Sequence, residues 1–252
     1  MEFSPIDFRN YTLTCEDKDN IPIIWNGEAP KARKHRNNVA TALTVYWGHF
    51  LDKEFSIDYL AGNRTFSGRI VSDLTIHEAL KVIHVFGAVE KSEFPFSPKT
   101  DEEAEDLVSD FWFDLNRKGH KLYQYVYISD FDDIKKYIEL TNMPVVVGVD
   151  WYEDTEVRNG TIRSRKKGEY DGKALLIYGW TEKGWKVLNP NNPDWGNEGC
   201  AILPYYCPIH ECWCAVPPNA EDFGLKIKKP FNIKGFRWIA KILNAIGNGL
   251  GF

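Results

Sequence analysis

The 252-residue chain is poor in cysteine and lopsided in where it puts it. Its five cysteines, Cys15, Cys200, Cys207, Cys212 and Cys214, are an odd number bunched toward one end. That pattern argues against an extracellular disulfide framework, so reduced thiols are expected. Positive charge is not in excess either: 31 Lys and Arg against 36 Asp and Glu leave a formal net charge of -5. No global field therefore draws the chain onto nucleic acid, and none is expected as a partner. No segment has the unbroken apolar length that spans a bilayer. The stretch Met1 to Arg9 lacks the basic start, apolar run and small-residue cleavage site of a secretory signal, which makes cytoplasmic synthesis the expectation. Repeats, low-complexity tracts, phosphate-binding loops and cofactor motifs are all missing, and no cofactor is expected.

What is present is apolar surface: 43% of residues are hydrophobic and 14% aromatic, enough for one large domain or two sub-domains. The first block reads as helical. From Asn38 to about Leu51, Val39, Leu43, Tyr46, Trp47 and Phe50 follow a 3.6-residue period, with small Ala40 and Ala42 between them, which predicts a buried helix. Thr75 to Phe86 predicts a second, with Thr75 as N-cap, Glu78 three residues on and Gly87 as the stop. Asp101 to about Arg117 predicts a third, its acidic first turn matching the helix dipole. The later block changes period. Tyr123 to Ser129 reads as a strand, Phe131 to Leu140 as a short helix, and Val145 to Val149 as a buried strand. Ala174 to Tyr178, Trp185 to Leu188, Cys200 to Leu203 and Cys212 to Val216 add four more strands between Gly, Asn and Pro turns. The fold class is α+β: a helical sub-domain with its central helix from about Asn38, and an antiparallel β half-barrel.

The order of these segments resembles the papain-like cysteine peptidases, in their bacterial and phage form, from about Pro5 to Val216. Ser4-Pro5-Ile6-Asp7-Phe8-Arg9 is similar to the family's opening Pro-x-x-x-Asp-Trp-Arg. Glu54 to Leu60 is similar to its Leu-Ser-x-x-x-Leu stretch, and Glu93-Phe94-Pro95-Phe96 after Gly87 to its Tyr-Pro-Tyr signature. Met143 to Asp150 resembles its Gly-Pro-Val-x-Val-Gly-Ile strand. The most specific piece, Leu188 to Gly199, keeps the spacing of Asn-Ser-Trp-Gly-x-x-Trp-Gly-x-x-Gly, with Asn189 and Trp195-Gly196 at matching places. Leu203 to Tyr206 and Cys212 to Val216 resemble the closing turn and strand.

The resemblance implies a thiolate nucleophile at the start of the central helix and an imidazole to carry its proton. Here the residue before Val39-Ala40-Thr41-Ala42 is Asn38, and the one before Ala174-Leu175-Leu176 is Lys173, sixteen positions ahead of Asn189. Ala32 falls where the oxyanion-hole glutamine should be. Only Asn189 keeps its family identity, so the expectation is of vestigial catalytic positions Asn38, Lys173 and Asn189, peptidase activity lost, and no enzyme. Trp195, Gly196, Ala32 and Gly172 are expected around the old cleft, and a covalent Lys173 to Asn38 isopeptide link is a further possibility the residue types allow.

Cys207, His210, Cys212 and Cys214 have zinc-ligand chemistry but no standard spacing, and Cys212 and Cys214 on one strand face read more simply as core; no metal is expected. The acidic run Asp101 to Asp106 reads as a solvated helix start. The basic stretches Lys31 to Arg36 and Arg163 to Lys167 read as solvated loops, or as a pair meeting near the cleft rim to bind an acidic partner. Residues 1–217 are expected to form the papain-like domain. Residues 218–252 are expected to form an extension whose amphipathic helix, with Phe236, Trp238, Ile239, Ile242, Leu243 and Ile246, docks on protein partners in an oligomer or larger assembly rather than on a membrane surface. A structural component of a phage virion, such as a tail or baseplate protein, is the concrete functional expectation. A peptide- or glycan-binding regulator that uses the old cleft is the alternative, and an enzyme with altered chemistry at Lys173 a third.

Overall fold

The computed structural model describes residues 12–15, 22, 25–63, 74–217, 220 and 225–228. Among them are eleven strands: β1 (Thr12–Cys15), β2 (Trp25–Asn26), β3 (Gln124–Tyr127), β4 (Val145–Tyr152), β5 (Glu156–Arg158), β6 (Thr161–Arg163), β7 (Tyr170–Thr181), β8 (Gly184–Leu188), β9 (Cys200–Pro204), β10 (Ile209–Val216) and β11 (Leu225–Lys228). The helices are α1 (Asn38–Leu51), α2 (Ile57–Gly62), α3 (Ile76–Val85), α4 (Asp101–Asp110), α5 (Trp112–Lys118) and α6 (Phe131–Thr141). The helical block precedes most of the sheet, as an α+β chain requires.

Helix α1 is the pivot. The Asn37 side chain caps it by accepting the Ala40 N–H at 2.8 Å, and Asp52 closes it in the left-handed conformation. Every residue from Val39 to Gly48 is buried, so α1 is enclosed all round rather than amphipathic. At α3 the Thr75 and Glu78 side chains complete a reciprocal capping box, as their spacing predicts. The expected single helix from Asp101 to Arg117 is instead two, because the chain breaks at Phe111, whose N–H bonds back to Leu107 and Ser109 carbonyls as the first helix ends.

The strands join in one open sheet of order β11-β1-β3-β10-β4-β7-β8-β9-β6-β5, with β2 added to β7. Its pairs are antiparallel except the single-residue bridges of β1 with β3 and β6 with β9. Period-2 alternation divides the core in two. Val146, Ala174, Leu176, Trp213 and Ala215 face the helices α1 and α3, while Val145, Val147, Leu175, Cys212 and Cys214 face the other way, onto Ile134, Tyr137 and Ile138 of α6. The two layers are tied by side chains at Ala215: Tyr137 donates to its carbonyl at 2.8 Å, and its N–H donates to the Tyr46 hydroxyl of α1. No helix among the described residues is long and apolar enough to cross a membrane. The arm residues Phe236, Trp238, Ile239, Ile242, Leu243 and Ile246 lie outside the described residues, as does the opening motif Ser4 to Arg9.

Candidate functional site at the head of helix α1

Asn38 is the first residue of α1, and the fold sets it against β7. Its side-chain oxygen accepts the Ala174 backbone N–H at 3.0 Å, across 136 residues of chain. Because the partner is a donor, the assignment of Oδ1 and Nδ2 in the carboxamide is fixed. Asn38 lines a cleft here, a polar hollow of 180 Å³ between the two layers, with Val39 and Leu74 on the same wall and Asp171 and Gly172 on the other.

The head of α1 is held by a charged clamp. Arg36 donates through Nε to Asp101 at 2.9 Å and reaches Asp58 at 3.0 Å, and it also binds the Pro98 and Thr100 carbonyls. Asn37 donates its amide to the second Asp101 oxygen at 3.1 Å. His35 accepts the Asn37 N–H on Nδ1, so Nε2 carries the proton it shares with Asp58 at 3.0 Å. Arg33 meets the Phe55 carbonyl at 2.9 Å. The stretch Lys31 to Arg36 is therefore neither a free basic loop nor a partner of Arg163 to Lys167. Arg33 is spent on the Glu54–Phe55 segment before α2 and Arg36 on α2 and α4, and Arg36 and the Arg163 to Lys167 stretch line separate hollows.

Beyond Asn38 the β half supplies the other expected residues. Lys173 lies two positions past Asp171 on β7, with its ammonium 5.2 Å from the Trp151 ring centre. Burial pushes its pKa below the ordinary lysine range, and nearby Asp171 opposes that shift only in part. Trp151 in turn contacts Trp195, ring centres 5.7 Å apart, so Lys173, Trp151 and Trp195 form a continuous run of contacts. Asn189, at the end of β8, is 1% exposed. Its N–H donates to Gly199 at 2.7 Å, while its Oδ1 and the indole Nε1 of Trp195 are buried with no hydrogen-bond partner among the described residues. Such orphans cost stability and mark a place where a polar ligand group has something to bind.

The loop bearing Ala32 closes this corner. The Arg33 N–H donates to the Pro190 carbonyl at 2.7 Å, and a Cβ on Gly199 would stand 3.1 Å from that of Ala32. Gly196 and Gly199 both have positive φ, 63° and 84°, and a side chain on Gly196 would meet the Cys200 carbonyl at 2.3 Å. The glycine spacing read from the sequence is thus a backbone requirement of the turn beside Asn189.

The cysteine and histidine set does not gather. Cys212 and Cys214 are buried in the core, with burial driving the Cys212 thiol well up, while His210 pairs with Asp150. Among the described residues no group of three or more His, Cys, Asp or Glu is placed to hold a metal ion. Cys200 and Cys207 are half-buried thiols, both raised by burial, and none of these four cysteines heads a helix. The Asp150 cluster was missed in the sequence. Tyr170 donates to the same Asp150 oxygen at 3.1 Å, a meeting of three strands that local spacing does not reveal.

No protein-family model and no curated protein matches the chain. Solved structures do. Xylellain, a cysteine protease from Xylella fastidiosa, superposes with a TM-score of 0.65 at 15% identity, covering 84% of this chain and 93% of its own. Digestive procathepsin L 3 of the Tenebrio molitor larval midgut gives 0.59 at 14%, covering 79% and 71%. The bromelain protease of Ananas comosus, in complex with the E64 inhibitor, gives 0.54 at 11%, covering 77% and 98%. The chain has the papain-like fold. These likenesses also correct one expectation, that the chain is no enzyme: the structures sharing its fold are proteases by name, so the fold is no ground for ruling catalysis out.

Proposed function

We propose that the hollow at the head of α1 is a peptide site, which receives an extended segment laid between the helical and β layers. The observation that carries this reading is the Asn38–Ala174 hydrogen bond at 3.0 Å. It holds the Asn38 carboxamide in place on the lining of a hollow whose opposite wall includes Gly172, where a peptide backbone can approach closely. A volume of 180 Å³ takes one side chain or peptide unit, not a whole ligand. An extended chain crossing it, with further contacts along the Trp151–Trp195 run, suits that size. The proteases that share the fold act on such chains, which supports peptide as the ligand class.

A second reading gives the site chemistry of its own. Lys173 has a lowered pKa, sits on an aromatic face, and among the described residues makes no ion pair within 4 Å. An amine whose pKa is lowered gives up its proton more readily than an ordinary lysine, and once neutral it can accept a proton or attack a carbonyl carbon. If peptide turnover is found, Lys173→Met abolishes it while leaving binding in place.

The test is a peptide pool incubated with the intact chain, with retention and cleavage both read by mass spectrometry. Asp171→Trp is the blocking variant, because Asp171 is exposed on the hollow's wall; Ala174, although adjacent, is fully buried in the core and filling it would break the fold. Retention or cleavage lost in Asp171→Trp upholds the site. Equal behaviour of the two proteins refutes it. Whether the arm beyond residue 217 also joins this chain to a larger assembly is a separate proposal, tested by comparing the mass in solution of the whole chain and of one ending at 229.

A further inference from the structure

A second hollow, of 1010 Å³, shares no residue with the first. Its floor is the hairpin β5–β6. Asn159 and Gly160 turn it with φ of 51° and 72°, the paired left-handed geometry that suits a two-residue hairpin. The resulting register sets Glu156 opposite Arg163, Val157 opposite Ile162 and Arg158 opposite Thr161. Alternation then sends Val157 and Ile162 into the core, and turns Glu156, Arg158, Thr161 and Arg163 together into the hollow.

The wall is the loop after β6, and it is built rather than loose. Asp154 accepts the Ser164 hydroxyl at 2.7 Å, the Arg165 N–H at 2.8 Å and the Lys167 N–H at 3.2 Å. Lys166 and Gly168 take positive φ to close the turn. The Asp154 charge is thereby spent on the loop backbone, and Glu156 is the one carboxylate left facing the cations. Among the described residues Arg158, Arg163, Arg165 and Lys183 line the hollow without an ion pair. At the rim stands Tyr206, 80% exposed.

We propose that this groove docks an extended acidic peptide segment of a partner protein. Three of the five cations that line it are arginines, whose planar forks take carboxylates in pairs of hydrogen bonds. The loop carrying Arg165 and Lys167 is already ordered by Asp154, so little is lost in fixing it on binding. The volume exceeds what a small ligand needs and gives room for several residues. A nucleic-acid strand is disfavoured on three counts: Glu156 on the floor repels a continuous phosphate backbone, one tyrosine is no stacking track, and a net charge of -5 offers no long-range attraction.

The experiment is fluorescence anisotropy with a labelled Glu/Gly-alternating peptide and, separately, a single-stranded oligonucleotide of equal length. The peptide is expected to bind and to weaken as salt rises. The double reversal Arg163→Glu with Arg165→Glu is expected to lower its affinity by about tenfold or more. Lys81→Glu with Lys121→Glu, an equal change of net charge on exposed residues elsewhere, is expected to leave it nearly unchanged. Equal weakening by both pairs, absence of peptide binding, or tighter binding of the oligonucleotide would overturn the proposal. Asp171→Trp is expected to have no effect, so loss in that variant alone would move the acidic peptide to the α1 cleft and end this assignment.

Discussion

The side chain of Asn38 accepts the backbone N–H of Ala174 at 3.0 Å, and this one bond joins the first turn of α1 to the middle of the sheet. A cleft between two layers keeps its shape only if its floor is fixed, and this bond is at the floor. Asn38→Ala removes the acceptor and leaves the Ala174 N–H without its partner. A loss of about 1–2 kcal/mol in folding stability is expected from chemical denaturation, with peptide retention falling as well. Unchanged stability would mean that the bond is not formed in solution.

The position of Asn38 can be read chemically by placing sulfur there. A thiol at the N-terminus of a fourteen-residue helix should have its thiolate favoured by the helix dipole. Cys200 and Cys207 are raised by burial instead. In Asn38→Cys the new thiol is expected to be alkylated by iodoacetamide at lower pH than either native cysteine, with the site located by peptide mapping. Alkylation no easier than at Cys200 would put the helix head out of reach of the cleft.

Lys173 makes stability depend on pH with a definite sign. Its folded-state pKa lies below the ordinary lysine value, so between the two the unfolded chain binds more protons. Stability contributed at this position is therefore lowest below the folded pKa, where the charge must be buried. It rises as pH climbs from the folded pKa toward the ordinary one. Relative to Lys173→Met, the wild type is expected to gain stability across that window between the folded and the ordinary pKa. A parallel pair of curves would show that the ammonium is not buried.

The clamp on α1 is the third place where one side chain has a disproportionate part. Arg36 joins Asp58 before α2's second residue position is passed and Asp101 at the start of α4, so its loss frees two helices at once. Arg36→Ala is expected to cost about 1.5–3 kcal/mol, on the scale of hydrogen bonds to charged groups. Faster hydrogen exchange should then appear in residues 101–104 rather than in β4 or β7, and uniform exchange would argue against a local clamp.

Much of this architecture was legible in residue order. The period of Val39, Leu43, Tyr46 and Trp47 gives α1 its bounds, and the Thr75 and Glu78 spacing gives a capping box that the fold contains. The Asn189 to Gly199 block showed its turn because glycines with positive φ leave a spacing. The break at Phe111 was hidden, since apolar residues on both sides continue a helical period across it. The hairpin β5–β6 was hidden behind its charges, although Asn159-Gly160 is a turn signal that would have found it. The clamp left no trace at all: Arg36 meets partners 22 and 65 positions away, and no local pattern encodes pairs at such separations. Chemistry was the least legible layer. Asn38 and Lys173, where the resemblance implies a nucleophile and a base, argued for no enzyme, whereas the fold is shared with structures that are proteases by name.

The central claim, that the hollow at the head of α1 receives an extended peptide, is tested most directly by one comparison. Wild type and Asp171→Trp are incubated with the same peptide pool, and bound and cleaved species are counted by mass spectrometry. The expected result is a subset of peptides retained or converted by the wild type and reduced by about tenfold or more in the variant, equivalent to about 1.4 kcal/mol. The same subset handled equally by both proteins, or no peptide handled by either, would contradict it.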